Sequence, residues 1–354
     1  MKNVLIIISN LNNSGGTERA ATNIANILSS DYKVNMLSLT DQLNKSLYYI
    51  NPQVNIIYNG VTIKFDNILG KIEWSYKSYN IISKIIRNYD IDIVIGLSHN
   101  VNTIISMINI RDVKTIGCEH IDYNSIPKNS RSIIEKTYPK LNSLVMLSEH
   151  ARKSVKHLNN NVVIIPNSLS FESNTVSKLV NPKILMVGRL SKEKGYERVI
   201  PLSKYLLENH PTWSIHIFGE GQIREELKKE IIKESLHNIK LNNPVENIQA
   251  EYLNASIFLS TSYNEALPMV FLEAMSCGLP VISYKNQGAD SLIDNNIDGI
   301  VVESNNELIL NMDRLIDNIE LRASLGANGK IKSLEFTTHK IKKEWLNLLS
   351  QLYS

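Results

Sequence analysis

Two consecutive series of short, uninterrupted apolar runs, each followed by a helix-period segment, constrain this chain more than any other feature. In the first series "NVLIIIS" (3–9), "KVNMLSL" (33–39), "IDIVIGLS" (91–98), "VKTIGCEH" (113–120) and "SLVMLSE" (143–149) lack the polar alternation of a half-exposed strand. Runs apolar on both sides are the mark of parallel strands covered by helices on both faces. After the first run, Ala21, Ile24, Ala25 and Leu28 recur at helical spacing. "NVVIIPNSLS" closes the series near residue 170, and the polar, unpatterned "FESNTVSKLVNP" reads as a linker. The pattern then restarts with the strand "KILMVGRL" (183–190), the helix "GYERVIPLSKYLLEN" and the strand "SIHIFGEG", and it runs through "NIKLNN", "ASIFLST", "PVISY" and "GIVVE". Beyond residue 305 the chain reads as helical to its end.

The expected fold class is therefore α/β: two Rossmann-like, doubly wound domains over residues 1–168 and 183–335, joined by a linker at 169–182 and facing one another across a cleft. A length of 354 residues is comfortable for two cores. Nothing approaches the run of about 20 apolar residues that a membrane-spanning helix needs. "VLIIIS" is too short for a signal sequence and has no small-residue cleavage site behind it, so a cytoplasmic protein is expected. Cys118 and Cys277 fall in different halves without metal-ligand spacing, as buried thiols in a reducing compartment would. Residues 1–165 carry 18 Lys and Arg against 12 Asp and Glu, whereas the remainder carries 20 against 23. That excess falls short of the dense basic stripe of a nucleic-acid binder, but it suits an N-terminal half that meets something anionic.

Parallel sheets bind ligands where their strands end, and four loops there carry chemistry. In "NLNNSGGTERAATNIA", Gly15 and Gly16 let backbone approach a ligand, and the helix opening near Thr17 offers N–H groups to an anion or sugar. A plain helix start behind a glycine turn would look the same. The G-x-G-x-x-G fingerprint is absent, which disfavours a nicotinamide dehydrogenase, and "GEG" (219–221) is one weak glycine pair. "GRLSKEKG" (188–195) sends Arg189 and Lys194 from one strand end, either into solvent or toward a diphosphate whose charge they would neutralise. In "YNEALPMVFLEAMSCGLPVISY" (263–284), Pro268 opens a short helix with free N–H groups at Met269 and Val270. A phosphate is favoured at that end. Glu265 precedes the helix and Glu273 lies on it, where a carboxylate needs a partner such as a ribose diol. "CEHIDYNS" places Glu119 and His120 at a strand end, with His120 either structural or touching substrate.

"GRLSKEKG" followed by "NEALPMVFLEA" resembles the signature of retaining glycosyltransferases of GT-B architecture, the family 4 group with its E-x7-E motif. The likeness spans essentially the whole chain; "GGTERAATNIAN" and "CEH" match more loosely, and the kinship points to bacterial enzymes that extend undecaprenyl-diphosphate-linked oligosaccharides for O-antigen, capsule or protein glycosylation. The resemblance implies that Arg189 and Lys194 hold the donor diphosphate with the backbone of Met269 and Val270, that Glu265 contacts the donor sugar, and that Glu273 contacts the ribose. It also places Leu267 and, through "NNPVENIQAEYL", Val245 in the donor site, His120 beside the donor sugar, and Gly15 and Gly16 around the reacting centre. Glu119, His120 and Tyr123 are the implied acceptor contacts, and a C-terminal helix (336–354) is implied to pack back on the first domain. His120, Glu265, Arg189 and Lys194 would form the catalytic set. Asn243 and Ala266 stand where the family usually has glycine; Asn tolerates the left-handed backbone better than most residues.

The "DID" string Asp90–Asp92 precedes a strand, at the end opposite the ligand face, and is read as structural. No metal or other cofactor is expected, only a UDP-sugar as donor substrate. "LGKIEWSYKSYNIISKIIRNYD" (69–90) mixes Trp74, Tyr79, Ile81, Ile82, Ile85 and Ile86 with Lys71, Lys77, Lys84 and Arg87; such a helix either packs on its sheet or lies on an anionic bilayer. Arg131, Lys136 and Lys140 could serve an acceptor diphosphate. The expected activity is sugar transfer to a lipid-diphosphate glycan at the cytoplasmic face of the inner membrane, by a peripheral protein. The competing classes are a sugar-nucleotide epimerase or hydrolase, which would need better acid–base pairs, and a silent binder, which would have lost part of the charged set.

Overall fold

The computed structural model describes residues 1–13, 15–40, 46, 48–60, 68–120 and 123–353, and the chain divides into two compact units. Unit 1 holds residues 1–168 and 338–354, and unit 2 holds 169–337. In unit 1 the order is β1 (Asn3–Ile8), α1 (Gly16–Leu28), β2 (Lys33–Ser38), β3 (Asn55–Tyr58), α2 (Ile68–Asn88), β4 (Ile93–Gly96), α3 (His99–Ile105), β5 (Lys114–Cys118), α4 (Lys128–Thr137), β6 (Ser143–Met146), α5 (Glu149–Val155) and β7 (Val162–Ile164). The seven strands form one sheet in the order β3-β2-β1-β4-β5-β6-β7, with every pairing parallel.

Both faces are buried, which is why the runs are continuously apolar. Along β1, Val4, Ile6 and Ile8 join one core cluster with α1, while Leu5 and Ile7 join another with α2, α3 and α4. Strand β3 has no counterpart among the expected strands; its "NIIY" is a four-residue edge strand, too short and too polar in its surroundings to stand out.

Helix α2 is packed on its sheet. Trp74, Ile82, Ile85 and Ile86 are buried, and Tyr79 and Ile81 lie against the same core, so the apolar residues that suggested a bilayer are taken up by the fold. A different set, Leu69, Ile72 and Tyr76, faces outward. Asp92 accepts a hydrogen bond from the Asn3 amide at 2.7 Å, and the Asp90 carbonyl accepts one from the Asn3 side chain at 2.9 Å, so this aspartate pair braces the start of β1 and β4.

Unit 2 repeats the plan: β8 (Lys183–Val187), α6 (Val199–Asn209), β9 (Ser214–Phe218), α7 (Arg224–Lys233), β10 (Ile239–Asn242), α8 (Ile248–Leu253), β11 (Ile257–Ser260), α9 (Met269–Ser276), β12 (Val281–Tyr284), α10 (Gln287–Leu292), β13 (Ile300–Val302), α11 (Asn305–Asp317) and α12 (Ile319–Ser333). Its six strands are parallel in the order β10-β9-β8-β11-β12-β13. Residues 169–182, expected as a linker, are bonded to this unit: the Ser173 amide donates to Ser276 Oγ at 3.0 Å, the Ser177 amide to the Cys277 carbonyl at 2.9 Å, and Arg322 to the Leu179 carbonyl at 2.9 Å.

The last helix, α13 (Thr338–Gln351), belongs to unit 1, where Ile341, Trp345, Leu348 and Leu349 join the α1 side of the core. Lys342 pairs with Asp31 at 2.7 Å, and the Tyr353 hydroxyl donates to the Asp92 carbonyl at 2.9 Å. No helix among the described residues is long and apolar enough to cross a membrane.

Candidate active site

In each sheet the strand order reverses once, between β1 and β4 in unit 1 and between β8 and β11 in unit 2. Neighbouring strands there send their following loops to opposite faces, and the gap left at their carboxyl ends is where such sheets receive ligands.

In unit 2 that gap is bounded by the loop after β8, residues 188–195, and the loop after β11, residues 261–268. The two are tied together by main chain. The Tyr263 amide donates to the Glu193 carbonyl at 2.9 Å, and Thr261 Oγ1 donates to the Lys194 carbonyl at 2.9 Å. Gly195 sits at φ +61°, and a Cβ there would lie 2.4 Å from the Thr261 carbonyl oxygen, so only glycine fits this turn. Lys194 and Glu265 form an ion pair, and Ser262 Oγ donates to the same carboxylate oxygen at 2.8 Å. Arg189 meets Glu193 at 2.6 Å. Helix α9 begins behind Pro268 without a side-chain cap and without an acidic residue in its first turn. Val270 lines a small hollow with Lys194, Tyr196, Ser262 and Glu265. Burial, with Glu265 nearby, pushes the Tyr196 hydroxyl well above its ordinary range, so it stays neutral.

Glu273, on the second turn of α9, is fully buried, and its carboxylate accepts a hydrogen bond from the Tyr252 hydroxyl at 2.9 Å. Leu267 and Met269 are also buried, whereas Val245 is exposed on the loop after β10. The structure thus brings Arg189, Lys194 and Glu265 to one pair of loops, with Val270 at the start of the helix that follows and Glu273 buried one turn further along it.

Unit 1 is built differently. Gly15 is the extended N-cap of α1, its carbonyl accepting from the Arg19 amide at 3.2 Å and the Tyr48 hydroxyl at 3.3 Å. A Cβ on Gly16 would meet nothing within 4 Å. Glu119, expected among the acceptor contacts, is 4% exposed and turned into the interior, where it accepts from Asn102 Nδ2 at 2.7 Å and from the Tyr138 hydroxyl. In this position its carboxyl touches protein rather than solvent. Burial raises it to about 7, against the pull of those two hydrogen bonds. Tyr123 is likewise buried, its hydroxyl 3.4 Å from Glu135 and its ring beneath Arg131.

His120 borders a hollow with Asn23, Cys118, Asn167, Ser168 and Trp345. Neither ring nitrogen has a hydrogen-bond partner among the described residues, and burial drives the imidazole down to about 4. It is a neutral hydrogen-bonding group at physiological pH, not an acid. No group of three or more His, Cys, Asp or Glu among the described residues could hold a metal ion.

The family model described as "Glycosyl transferases group 1" matches residues 171–332, the body of unit 2. An uncharacterized glycosyltransferase of Haemophilus influenzae is 29% identical over 99% of this chain and 100% of its own length. The chain is a glycosyltransferase whose residues 171–332 are similar to the group 1 family. A second relative of the transferase, 26% identical over 99% of both chains, is the Campylobacter jejuni GalNAc-alpha-(1->4)-GalNAc-alpha-(1->3)-diNAcBac-PP-undecaprenol alpha-1,4-N-acetyl-D-galactosaminyltransferase. Among solved structures, S. aureus TarM, a mutant in complex with fondaparinux, alpha-GlcNAc-glycerol and UDP, superposes with a TM-score of 0.82 at 15% identity, over 98% of this chain and 99% of that one. At that identity the likeness speaks for the fold, which is the GT-B class.

Several residues that shape the transferase's unit 2 loops escaped the sequence reading. Arg198 stacks between Tyr263 at 3.8 Å and Tyr284 at 4.3 Å and donates to the Thr261 carbonyl at 3.2 Å. Asn286 caps α10 and donates to the Ser262 carbonyl at 3.1 Å, while Gly288 lets α10 lie against Glu265 and Pro268. The weak "GEG" pair also has a job: a Cβ on Gly219 would fall 1.9 Å from the Gly188 carbonyl oxygen, so the exits of β8 and β9 touch through it. An arginine near two tyrosines distant in sequence gives no local signal; only the parallel order of β8, β11 and β12 assembles them.

Proposed function

We propose that the enzyme transfers a hexose or N-acetylhexosamine from a UDP-sugar, with retention of anomeric configuration, to a lipid-diphosphate-linked oligosaccharide in bacterial glycan assembly. The observation that carries this reading is the Lys194–Glu265 pair beside the uncapped start of α9, with Arg189 on the same loop as Lys194, at the switch point of unit 2. Two cations and a helix N-terminus suit a departing diphosphate. The UDP in the TarM complex and the undecaprenol-linked acceptor in the Campylobacter relative's name support the choice of donor and acceptor.

In this proposal Arg189 and Lys194 neutralise charge on the leaving diphosphate, helped by the amides of Met269 and Val270, and Glu265 receives sugar hydroxyls. Glu273 is assigned the ribose. The acceptor oxygen bonds to the anomeric carbon on the face the diphosphate leaves, and its proton passes to the departing phosphate oxygen. The neutral imidazole of His120 hydrogen-bonds substrate and does not relay that proton. No metal takes part; the cations do its work.

The acceptor side falls to unit 1, which carries 21 Lys and Arg against 13 Asp and Glu. On α2, the exposed Leu69, Ile72 and Tyr76, with Lys77, Lys84 and Arg87, would rest on an anionic lipid surface at the cytoplasmic face of the membrane.

The test is UDP release from a panel of UDP-sugars in EDTA, with and without anionic vesicles carrying lipid-diphosphate glycans. Release from one donor, dependent on acceptor and accompanied by vesicle binding, is the expected result. Release without acceptor would make the protein a hydrolase, and UDP binding with no turnover on a competent acceptor would make it a silent binder.

A further inference from the structure

Four of the five charged side chains of the unit 2 loops are already matched with one another. Arg189 is held by Glu193 at 2.6 Å and Lys194 by Glu265, so the cradle carries no net charge of its own from these groups. Glu193 has no place in the proposed transfer, yet it is fixed as firmly as the residues that do. Its carbonyl accepts from the Tyr263 amide at 2.9 Å, and the next carbonyl, of Lys194, accepts from Thr261 at 2.9 Å. The main chain is thereby clamped to the loop after β11, while the two side chains leave it toward Arg189 and Glu265.

We propose that Glu193 is an internal competitor for Arg189 that sets how tightly the site holds a nucleoside diphosphate. The inference rests on the donor-site reading above and deepens it. An incoming diphosphate exchanges one anion for another at Arg189, and when UDP departs Glu193 takes the cation back. The carboxylate therefore lowers affinity for donor and product alike and speeds release of the product. Arg189 and Glu193 are about half exposed, at 53% and 44%, so their pair is weakly held and readily exchanged. The Lys194–Glu265 pair, at 24% and 14%, is the more protected of the two, and Ser262 holds its carboxylate from the other side.

The experiment is calorimetric titration of the purified full chain with UDP, inorganic pyrophosphate and uridine, using wild type, Glu193→Gln, Glu193→Ala, Arg189→Ala and the Arg189→Ala/Glu193→Gln double variant. Both Glu193 variants are expected to bind UDP and pyrophosphate about two- to fivefold more tightly, the range of an exposed ion pair, with uridine unchanged. The gain should vanish on the Arg189→Ala background, because the competitor then has nothing to compete for. A residue with a merely structural role would loosen binding when removed. Unchanged or weaker UDP binding by both folded Glu193 variants would overturn the inference while leaving the donor site intact. A wild type that binds neither UDP nor pyrophosphate would overturn the donor-site reading itself.

Discussion

Units 1 and 2 share a plan, an all-parallel sheet whose order reverses once, yet their strand ends hold opposite kinds of chemistry. Unit 2 has fewer cations than anions, 17 Lys and Arg against 22 Asp and Glu, but it presents Arg189 and Lys194 on loops, each paired with a carboxylate. Unit 1 is the cationic one, yet the residues after β5 are an inward-turned Glu119 and a neutral His120. Net charge therefore does not point to the candidate site. Fixed charge at a strand end, held by main-chain contacts, is what a leaving group's developing charge would need, because little reorganisation is then required.

The contrast predicts its largest effect at Lys194. Its Nζ is bonded to Glu265 within the tied loops, so Lys194→Ala removes a positioned cation and leaves a half-buried carboxylate with Ser262 alone. We expect kcat/KM to fall on the order of 100- to 1,000-fold, the usual loss of one preorganised charge-stabilising group. His120→Asn, which keeps a neutral hydrogen-bonding side chain, should cost far less. Steady-state kinetics on both variants decide this, and equal losses would erase the distinction between the units.

The same contrast explains what could be read from sequence. Unit 2's candidate site lies on two contiguous segments, 188–195 and 263–273, so its residue types and spacing survive in one dimension. The strand runs of the sheets' interiors are equally plain, because burial on both faces removes most polar residues. In unit 1 the surroundings of Glu119 come from Asn102 on α3 and Tyr138 after α4, and those of His120 from α1, β6 and α13. No local spacing encodes such a meeting, and a carboxyl on a strand end looks the same in sequence whether it faces ligand or core. The apolar face of α2 left two readings open for a related reason: a bilayer and a sheet ask for the same residues.

Buried titratable groups give unit 1 a pH signature. Glu119 is raised from 4.5 to about 7, so the folded state holds its proton more tightly than the unfolded chain. Its contribution to stability is full below about pH 4.5 and is lost as pH rises to about 7. His120 is lowered from 6.5 to about 4, so its contribution is full above about pH 6.5 and is lost as pH falls to about 4. The two slopes oppose each other over the same window. Glu119→Gln should leave a unit 1 whose stability rises with pH, and His120→Asn one whose stability falls, each by on the order of 2–4 kcal/mol across the window. Denaturant melts at pH 4.5, 5.5 and 6.5, followed by Trp74 and Trp345 fluorescence in a Trp213→Phe background, check both signs. Parallel curves for the two variants would mean the groups are not buried as described.

The smallest effect separates two glycines. Gly219 lies where the exits of β8 and β9 touch, with the Gly188 carbonyl oxygen 1.9 Å from where a Cβ would be. Alanine there must push one backbone off another, and we expect Gly219→Ala to cost unit 2 about 1–3 kcal/mol. Gly16 opens α1 with nothing within 4 Å of its would-be Cβ, so Gly16→Ala meets no clash and removes unfolded-chain freedom. Its stability should stay level or rise by up to about 1 kcal/mol. Thermal melts of the two variants measure the difference, and transferase assays of Gly16→Ala add what melts cannot. If activity drops while stability holds, the open space beside Gly16 is being kept for substrate; if neither changes, glycine at that position answers to nothing in the fold or the reaction.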